Sequence, residues 1–279
     1  MAEHVRRLAV LGSPISHSKS PALHAAAYQV LGIPWNYEAI EVDADGLAQF
    51  LKRLDASWRG LSLTMPLKRE IIRHLETRDD LVDVVGSANT VVVAGGRLSG
   101  FNTDVYGAER MLSEAMPERL TTALILGAGA TACSIVVALK RLGAHHATVW
   151  ARSPGRAAEV STVAERIGLG VDVVSEVRHV GTVDAVISTL PGAATLSANF
   201  PYRLRAEVPL VDIAYDPWPT AVARHWLEAE GAIVNNGMGM LLYQALAQVR
   251  IFVGGHQELE LPTEAGVLEA MRAAAFGAG

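Results

Sequence analysis

The chain has 279 residues, half of them hydrophobic and 19% charged, with 24 Lys and Arg against 29 Asp and Glu and a formal charge of −5. At roughly 100–200 residues per domain this length suggests two domains, each able to bury a core without disulfides or structural metal. One cysteine rules out an internal bridge. No Cys/His cluster has zinc-ligand spacing, no Lys/Arg run marks a nucleic-acid binder, and no apolar stretch approaches the roughly 20 residues that span a bilayer. The run up to Gly12 is too polar for a signal peptide, so a reducing compartment, the cytoplasm, is expected.

In chain order, residues 7–12 read as a buried strand and 21–31 as a helix closed by Gly32. Strand-like 37–42, helix-like 47–54, strand-like 61–65 and a short helix over 68–75 continue the alternation, which implies a mostly parallel sheet. Two β-rich runs, 89–93 and 97–101, flank Ala94-Gly95-Gly96 and predict an antiparallel hairpin. A helix over 105–116 leads to a second series. It comprises a strand at 122–126, a helix over 130–142, and strands at 148–150, 171–174, 185–189 and 210–213. Helices over 240–253 and 264–276 close the chain without strands around them. The expected division is a substrate-binding catalytic domain from 1–104 and 237–279, with a doubly wound Rossmann domain of 105–236 inserted in it. The fold class is α/β.

Residues 124–132 run from a buried strand through Gly127-Ala128-Gly129-Ala130-Thr131-Ala132 into a helix. Gly127 permits a tight turn, and Gly129 lets backbone approach a pyrophosphate seated on free N–H groups at the helix N-terminus. Ala132 stands where strand and helix pack closely. The next strand ends in Arg152-Ser153-Pro154-Gly155-Arg156, with no carboxylate for a ribose 2′-hydroxyl. Two cations and a hydroxyl suit the 2′-phosphate of NADP instead, although loop arginines are also commonly only solvated.

Other polar segments carry alternatives of their own. Ser20-Pro21 is a good helix start with Ser as cap, Asp104 is an N-cap candidate, and Asn89 and Asn102 fit turns. Lys68, just past the end of a strand, could be a solvated first-turn residue, yet that is also where open α/β sheets place ligands. His145, His146 and His225 lack metal-ligand spacing, and Cys133 reads as a packing residue.

Taken together, Gly12-Ser13-Pro14-Ile15-Ser16-His17-Ser18-Lys19-Ser20-Pro21, Gly60-Leu61-Ser62-Leu63-Thr64-Met65-Pro66-Leu67-Lys68, Ser87-Ala88-Asn89-Thr90, Asn102-Thr103-Asp104, Asp212-Ile213-Ala214-Tyr215 and Asn236-Gly237-Met238-Gly239 through Gln244 resemble the shikimate dehydrogenase family over nearly the whole chain. The resemblance implies reversible reduction of 3-dehydroshikimate to shikimate with NADPH, in aromatic amino acid biosynthesis. It assigns Lys68 and Asp104 to catalysis. Ser18, Ser20, Thr64, Asn89, Tyr215 and Gln244 fall to substrate, and Gly127 to Ala132, Arg152, Ser153, Arg156, Thr189 and Gly237 to the cofactor. Two departures stand out: Ser62 where the family usually has Asn, and 188–194, which keeps Pro191 without the Gly-Met pair the family tends to have. A quinate/shikimate dehydrogenase with relaxed substrate or NAD preference is the alternative within the class, and an idle NADPH-binding sensor the alternative outside it. Neither nucleic acid nor membrane is an expected partner, and the oligomeric state stays open between monomer and homodimer.

Overall fold

A computed structural model describes residues 5–116, 120–152, 154–177, 180–196 and 198–277. The chain forms two compact units, Met1–Gly107 with Leu241–Gly279, and Ala108–Met240.

In the first unit β1 (Arg7–Gly12), α1 (Ser20–Leu31), β2 (Asn36–Glu41), α2 (Ala44–Leu51) and β3 (Trp58–Leu63) follow the predicted alternation. Then come α3 (Leu67–Glu70), a 3-10 turn (Ile71–His74), β4 (Thr77–Arg78), α4 (Asp80–Val85), β5 (Thr90–Ala94) and β6 (Arg97–Phe101). The sheet order is β2-β1-β3-β5-β6-β4. Strand β1 pairs parallel with β2 and β3, whereas β5 runs antiparallel to both neighbours, as the hairpin requires. Leu61, Leu63, Leu67, Ile71 and Val91 fill the core on one side.

Local chemistry moves several boundaries. Helix α2 starts at Ala44 rather than residue 47 because the Asp43 carboxylate accepts from Gly46 N at 2.8 Å and caps it. Strand β3 starts at Trp58 and ends at Leu63, which leaves Thr64 beyond the ladder, where its N–H still donates to Leu11 O at 2.9 Å. Sequence reading missed β4, two residues long, and α4, six residues long and too short to show a helical period; α4 starts where Asp79 accepts from Val82 N at 2.8 Å.

Helix α5 (Asp104–Ala115) leads into the second unit, in which β7 (Thr122–Leu126), α6 (Ala130–Arg141), β8 (His146–Trp150), α7 (Ala158–Ile167) and β9 (Gly170–Val174) come first. They are followed by β10 (Ala185–Ser188), α8 (Tyr202–Glu207), β11 (Leu210–Asp212), α9 (Ala221–Leu227) and β12 (Val234–Asn236). All pairings are parallel, in the order β12-β11-β10-β7-β8-β9. This is the 3-2-1-4-5-6 order of a doubly wound sheet, with its switch point between β7 and β10. The Asp184 carboxylate ties β10 to β7 by accepting from Thr121 N and Thr122 N, both at 2.8 Å. Helix α10 (Met238–Gly254) leads back into the first unit, where α11 (Glu264–Phe276) packs along α1.

Candidate active site

In the first unit the side chains assigned to catalysis and to the substrate ring converge. Lys68 lies in α3, immediately after β3, and its Nζ donates to Asp104 Oδ2 at 2.6 Å. Asp104 opens α5 and is 5% exposed, against 18% for Lys68, so the ion pair is largely withdrawn from water. The second carboxylate oxygen accepts from Asn89 Nδ2 at 2.8 Å. The Asn89 amide is itself oriented: its Oδ1 accepts from Thr103 N and Thr90 Oγ1, both at 2.9 Å. A backbone N–H can only donate, so Nδ2 is forced toward Asp104. Gln244 completes the group from α10. Its Nε2 donates to Leu241 O at 2.9 Å, while its Oε1 faces Asn89 Nδ2 at 3.4 Å.

Two cap expectations need correction. Asp104 does not cap α5; Asn102 Oδ1 accepts from Asp104 N at 3.1 Å and Val105 N at 3.3 Å, which frees the Asp104 carboxylate for Lys68 and Asn89. Nor does Ser20 cap α1. It is the first helical residue, the preceding Lys19 makes no side-chain cap bond, and Ser18 Oγ accepts from Ser20 N at 3.3 Å. Ser18 is half-buried and Ser20 buried. Thr64 is half-buried beside the exposed Met65, one turn before Lys68.

Ser62 is buried, and its hydroxyl donates to Gln248 Oε1 at 3.0 Å. Gln248 and its second neighbour, His24, went unnoticed in the sequence. The signal was there, because Gln248 lies one helical turn from Gln244 on the same face.

In the second unit β7 passes into α6 through the glycine loop. Gly127 sits at φ +104°, and its N–H donates to Trp150 O at 3.0 Å; a Cβ there would lie 2.7 Å from Thr189 Oγ1. The Thr189 hydroxyl donates to Leu126 O at 3.0 Å, so it is spent on the backbone of β7. Gly129 takes the cap position of α6 with no side-chain bond, and the space about its Cα is open. Ala128, Ala130 and Thr131 are half-buried, and Ala132 is fully buried, as close helix–strand packing requires.

A cavity of about 490 Å³ opens past the ends of β8 and β9, lined by Trp150, Arg152, Ser175, Glu176, Val177, Ala198 and Asn199. Arg152 is exposed on its wall. Ser153 lies outside the described residues; so does the side chain of Arg156, whose backbone belongs to a 3-10 turn over Pro154–Ala157. Open backbone at Gly129, unshared helical N–H groups and a cavity carrying a guanidinium fit a dinucleotide with extra phosphate.

Tyr215 follows β11, half-buried, and burial raises its phenol above the usual range. Gly237 is buried where β12 meets α10. A Cβ there would fall 1.7 Å from Ile213 O, so close backbone packing alone demands glycine. Asp212, at the end of β11, accepts from the Thr220 hydroxyl, and burial raises its carboxyl. Among the described residues no cluster of His, Cys, Asp and Glu could hold a metal.

A doubly wound sheet with a glycine loop at its switch point, on one chain with a lysine paired to a buried carboxylate, defines a dinucleotide-dependent oxidoreductase. The profile of the shikimate dehydrogenase substrate binding domain matches residues 10–91. Shikimate dehydrogenase (NADP(+)) of Thermus thermophilus is 35% identical over 272 residues, covering 96% of this chain and 98% of its own. Among solved structures, Mycobacterium tuberculosis shikimate dehydrogenase superposes with a TM-score of 0.79 at 36% identity, covering 97% and 98% of the two chains. The T. thermophilus enzyme in complex with NADP(H) and shikimate gives 0.78 at 33% identity, covering 97% and 100%. This chain belongs to the shikimate dehydrogenase family.

Proposed function

We propose that this protein reversibly reduces 3-dehydroshikimate to shikimate with NADPH, with Lys68 and Asp104 as the reacting pair and the first unit as the substrate domain. The observation that carries this is the 2.6 Å Lys68–Asp104 contact beyond the end of β3, with Asn89 on the other carboxylate oxygen. The dihydronicotinamide, when bound, supplies the hydride. As the substrate carbonyl takes up negative charge, the Lys68 ammonium stabilises it and gives a proton to its oxygen. Asp104 keeps that ammonium in place and accepts from a ring hydroxyl.

Asn89 and Gln244 orient the ring hydroxyls, and Tyr215 falls to the substrate by family resemblance. Ser18, Ser20 and Thr64 give neutral hydroxyls to the carboxylate and ring. In the second unit Gly127 to Ala132, Thr189 and Gly237 shape the cofactor site, and Arg152, Ser153 and Arg156 serve its 2′-phosphate. An idle sensor of the cofactor would have no use for a lysine paired with a buried aspartate.

Steady-state oxidation of shikimate with NADP⁺ tests the reaction, and Lys68→Ala tests the mechanism. The variant should lose about 10²-fold or more in kcat with a much smaller change in KM, as expected when an acid and electrostatic group is removed. Near-normal turnover would make Lys68 a bystander.

A further inference from the structure

Behind the reacting pair runs a second chain of hydrogen bonds, centred on Gln248, which is 2% exposed. Its Nε2 donates to Asn89 O at 3.2 Å. A carbonyl only accepts, so the amide cannot be reversed and Oε1 must face the other way. There it accepts from Ser62 Oγ at 3.0 Å and from His24 Nε2 at 3.2 Å. The His24 proton therefore sits on Nε2, and Nδ1 accepts from the Tyr28 hydroxyl at 3.1 Å. The His24 ring is held flat against Tyr37, with centroids 3.9 Å apart at 10°. One glutamine thus bonds to side chains from α1 and β3 and to the backbone just before β5.

Gln244, one turn earlier on α10, is held much less firmly to the sheet. Its amide nitrogen is spent within its own helix on Leu241 O, and its contact with Asn89 spans 3.4 Å. Three bonds fix Gln248 to its neighbours where one long bond fixes Gln244, so Gln248 seats this part of α10 on the sheet, and one turn further on Phe252 O accepts from Arg59 Nε of β3 at 2.6 Å. We propose that Gln248 is a positioning residue of the active site, locking α10 against β3 and β5 and thereby holding Gln244 and Asn89 where they meet the substrate. The inference rests on the function proposed above.

Gln248→Met in the full chain keeps length and volume and removes all three bonds, while Asn89 O retains its bond from Leu63 N at 2.8 Å. KM for shikimate should rise about fivefold, with kcat changed less than about twofold, the pattern of lost uniform binding. KM for NADP⁺ should not move. Because Gln248 acts through Gln244, a cycle with Gln244→Ala should be less than additive. His24→Phe, which keeps a ring on Tyr37 but withdraws one anchor, should raise KM in the same direction by less.

A folded Gln248→Met with unchanged KM for shikimate, or an additive cycle, overturns the inference. Should that variant not fold, KM of His24→Phe decides, and an unchanged value overturns it. A wild-type chain that turns over no shikimate removes the proposed function and this inference with it; turnover with KM unmoved in the variants removes only the inference.

Discussion

Asp104 shows how one residue is released for chemistry by its neighbour. Asp is a favoured N-cap, and a carboxylate bonded to its own helix would be a poor partner for a lysine. Asn102 takes that duty with Oδ1, while its Nδ2 donates to Ser87 O at 2.9 Å. Asn102→Ala should therefore cost about 1–2 kcal/mol of stability, the range for a lost cap, read by urea unfolding. An unchanged midpoint would show the cap to be dispensable. Arg152 makes a separate case at this scale, exposed on the wall of a cavity that Glu176 also lines, in the stretch 151–156 after β8 that carries no carboxylate. A guanidinium on a 2′-phosphate is worth about 1.5–3 kcal/mol, so Arg152→Ala should lower kcat/KM for NADP⁺ roughly tenfold or more and leave NAD⁺ nearly untouched. If the ratio of the two efficiencies stays constant, Arg152 is a solvated loop residue and the 2′-phosphate is held elsewhere.

Elements meet tightly at two glycines for different reasons. Gly127 is needed for its left-handed backbone and for Thr189 beside it; Gly237 is needed because Ile213 O occupies the place of a Cβ. Gly237→Ala must push β12 and α10 away from the loop after β11. That is backbone against backbone, so the expected cost exceeds about 4 kcal/mol, seen as loss of soluble folded protein or a large fall in Tm. A variant with normal Tm would mean the junction yields easily. The strand before Gly127 and the helix after it were legible in the sequence, because apolar run, glycine turn and helical spacing all agree there. The same consistency exposed the β5–β6 hairpin and the last two helices. Helix α7 was overlooked, and strand β12 and helices α4, α8 and α9 were not legible, being short segments whose burial comes from tertiary contacts rather than from periodicity. At the site, Lys68, Asp104 and Asn89 stood out by resemblance, and the structure brings them within hydrogen-bond reach. Gln248 and His24 did not, since a glutamine and a histidine on mostly apolar helix faces read as isolated polar residues until the fold joins them through a shared hydrogen bond beside Ser62.

Across the whole molecule, the buried polar groups set how stability depends on pH, and His24 dominates one window. It is fully buried, and burial pushes its pKa down from 6.5 to about 3, against a smaller upward pull from Gln248. Between those values the unfolded chain binds a proton that the folded chain refuses, so stability falls as pH drops below about 6.5 and the loss stops near 3. The slope from this one group approaches about 1.4 kcal/mol per pH unit. Glu264, lowered despite its burial by the Arg250 guanidinium and Leu261 N, adds acid sensitivity only below the ordinary carboxylate range. Asp79 and Asp212 are both raised by burial, so each takes up its proton more readily when folded and opposes the trend just above that range. The window below pH 6.5 is therefore shared: His24, the more deeply buried, carries most of it, and His74, lowered by burial and by the Arg73 guanidinium, adds to it in the same direction. Urea midpoints of the first unit, followed by hydrogen exchange of β1 and β3 amides, should fall with pH through that window in the wild type. In His24→Phe, which loses the larger contributor, the fall should be much shallower, whatever the midpoint's absolute level. Parallel curves for the two proteins would mean that His24 takes up its proton in the folded state, and that the bond from its Nε2 to Gln248 does not hold it neutral.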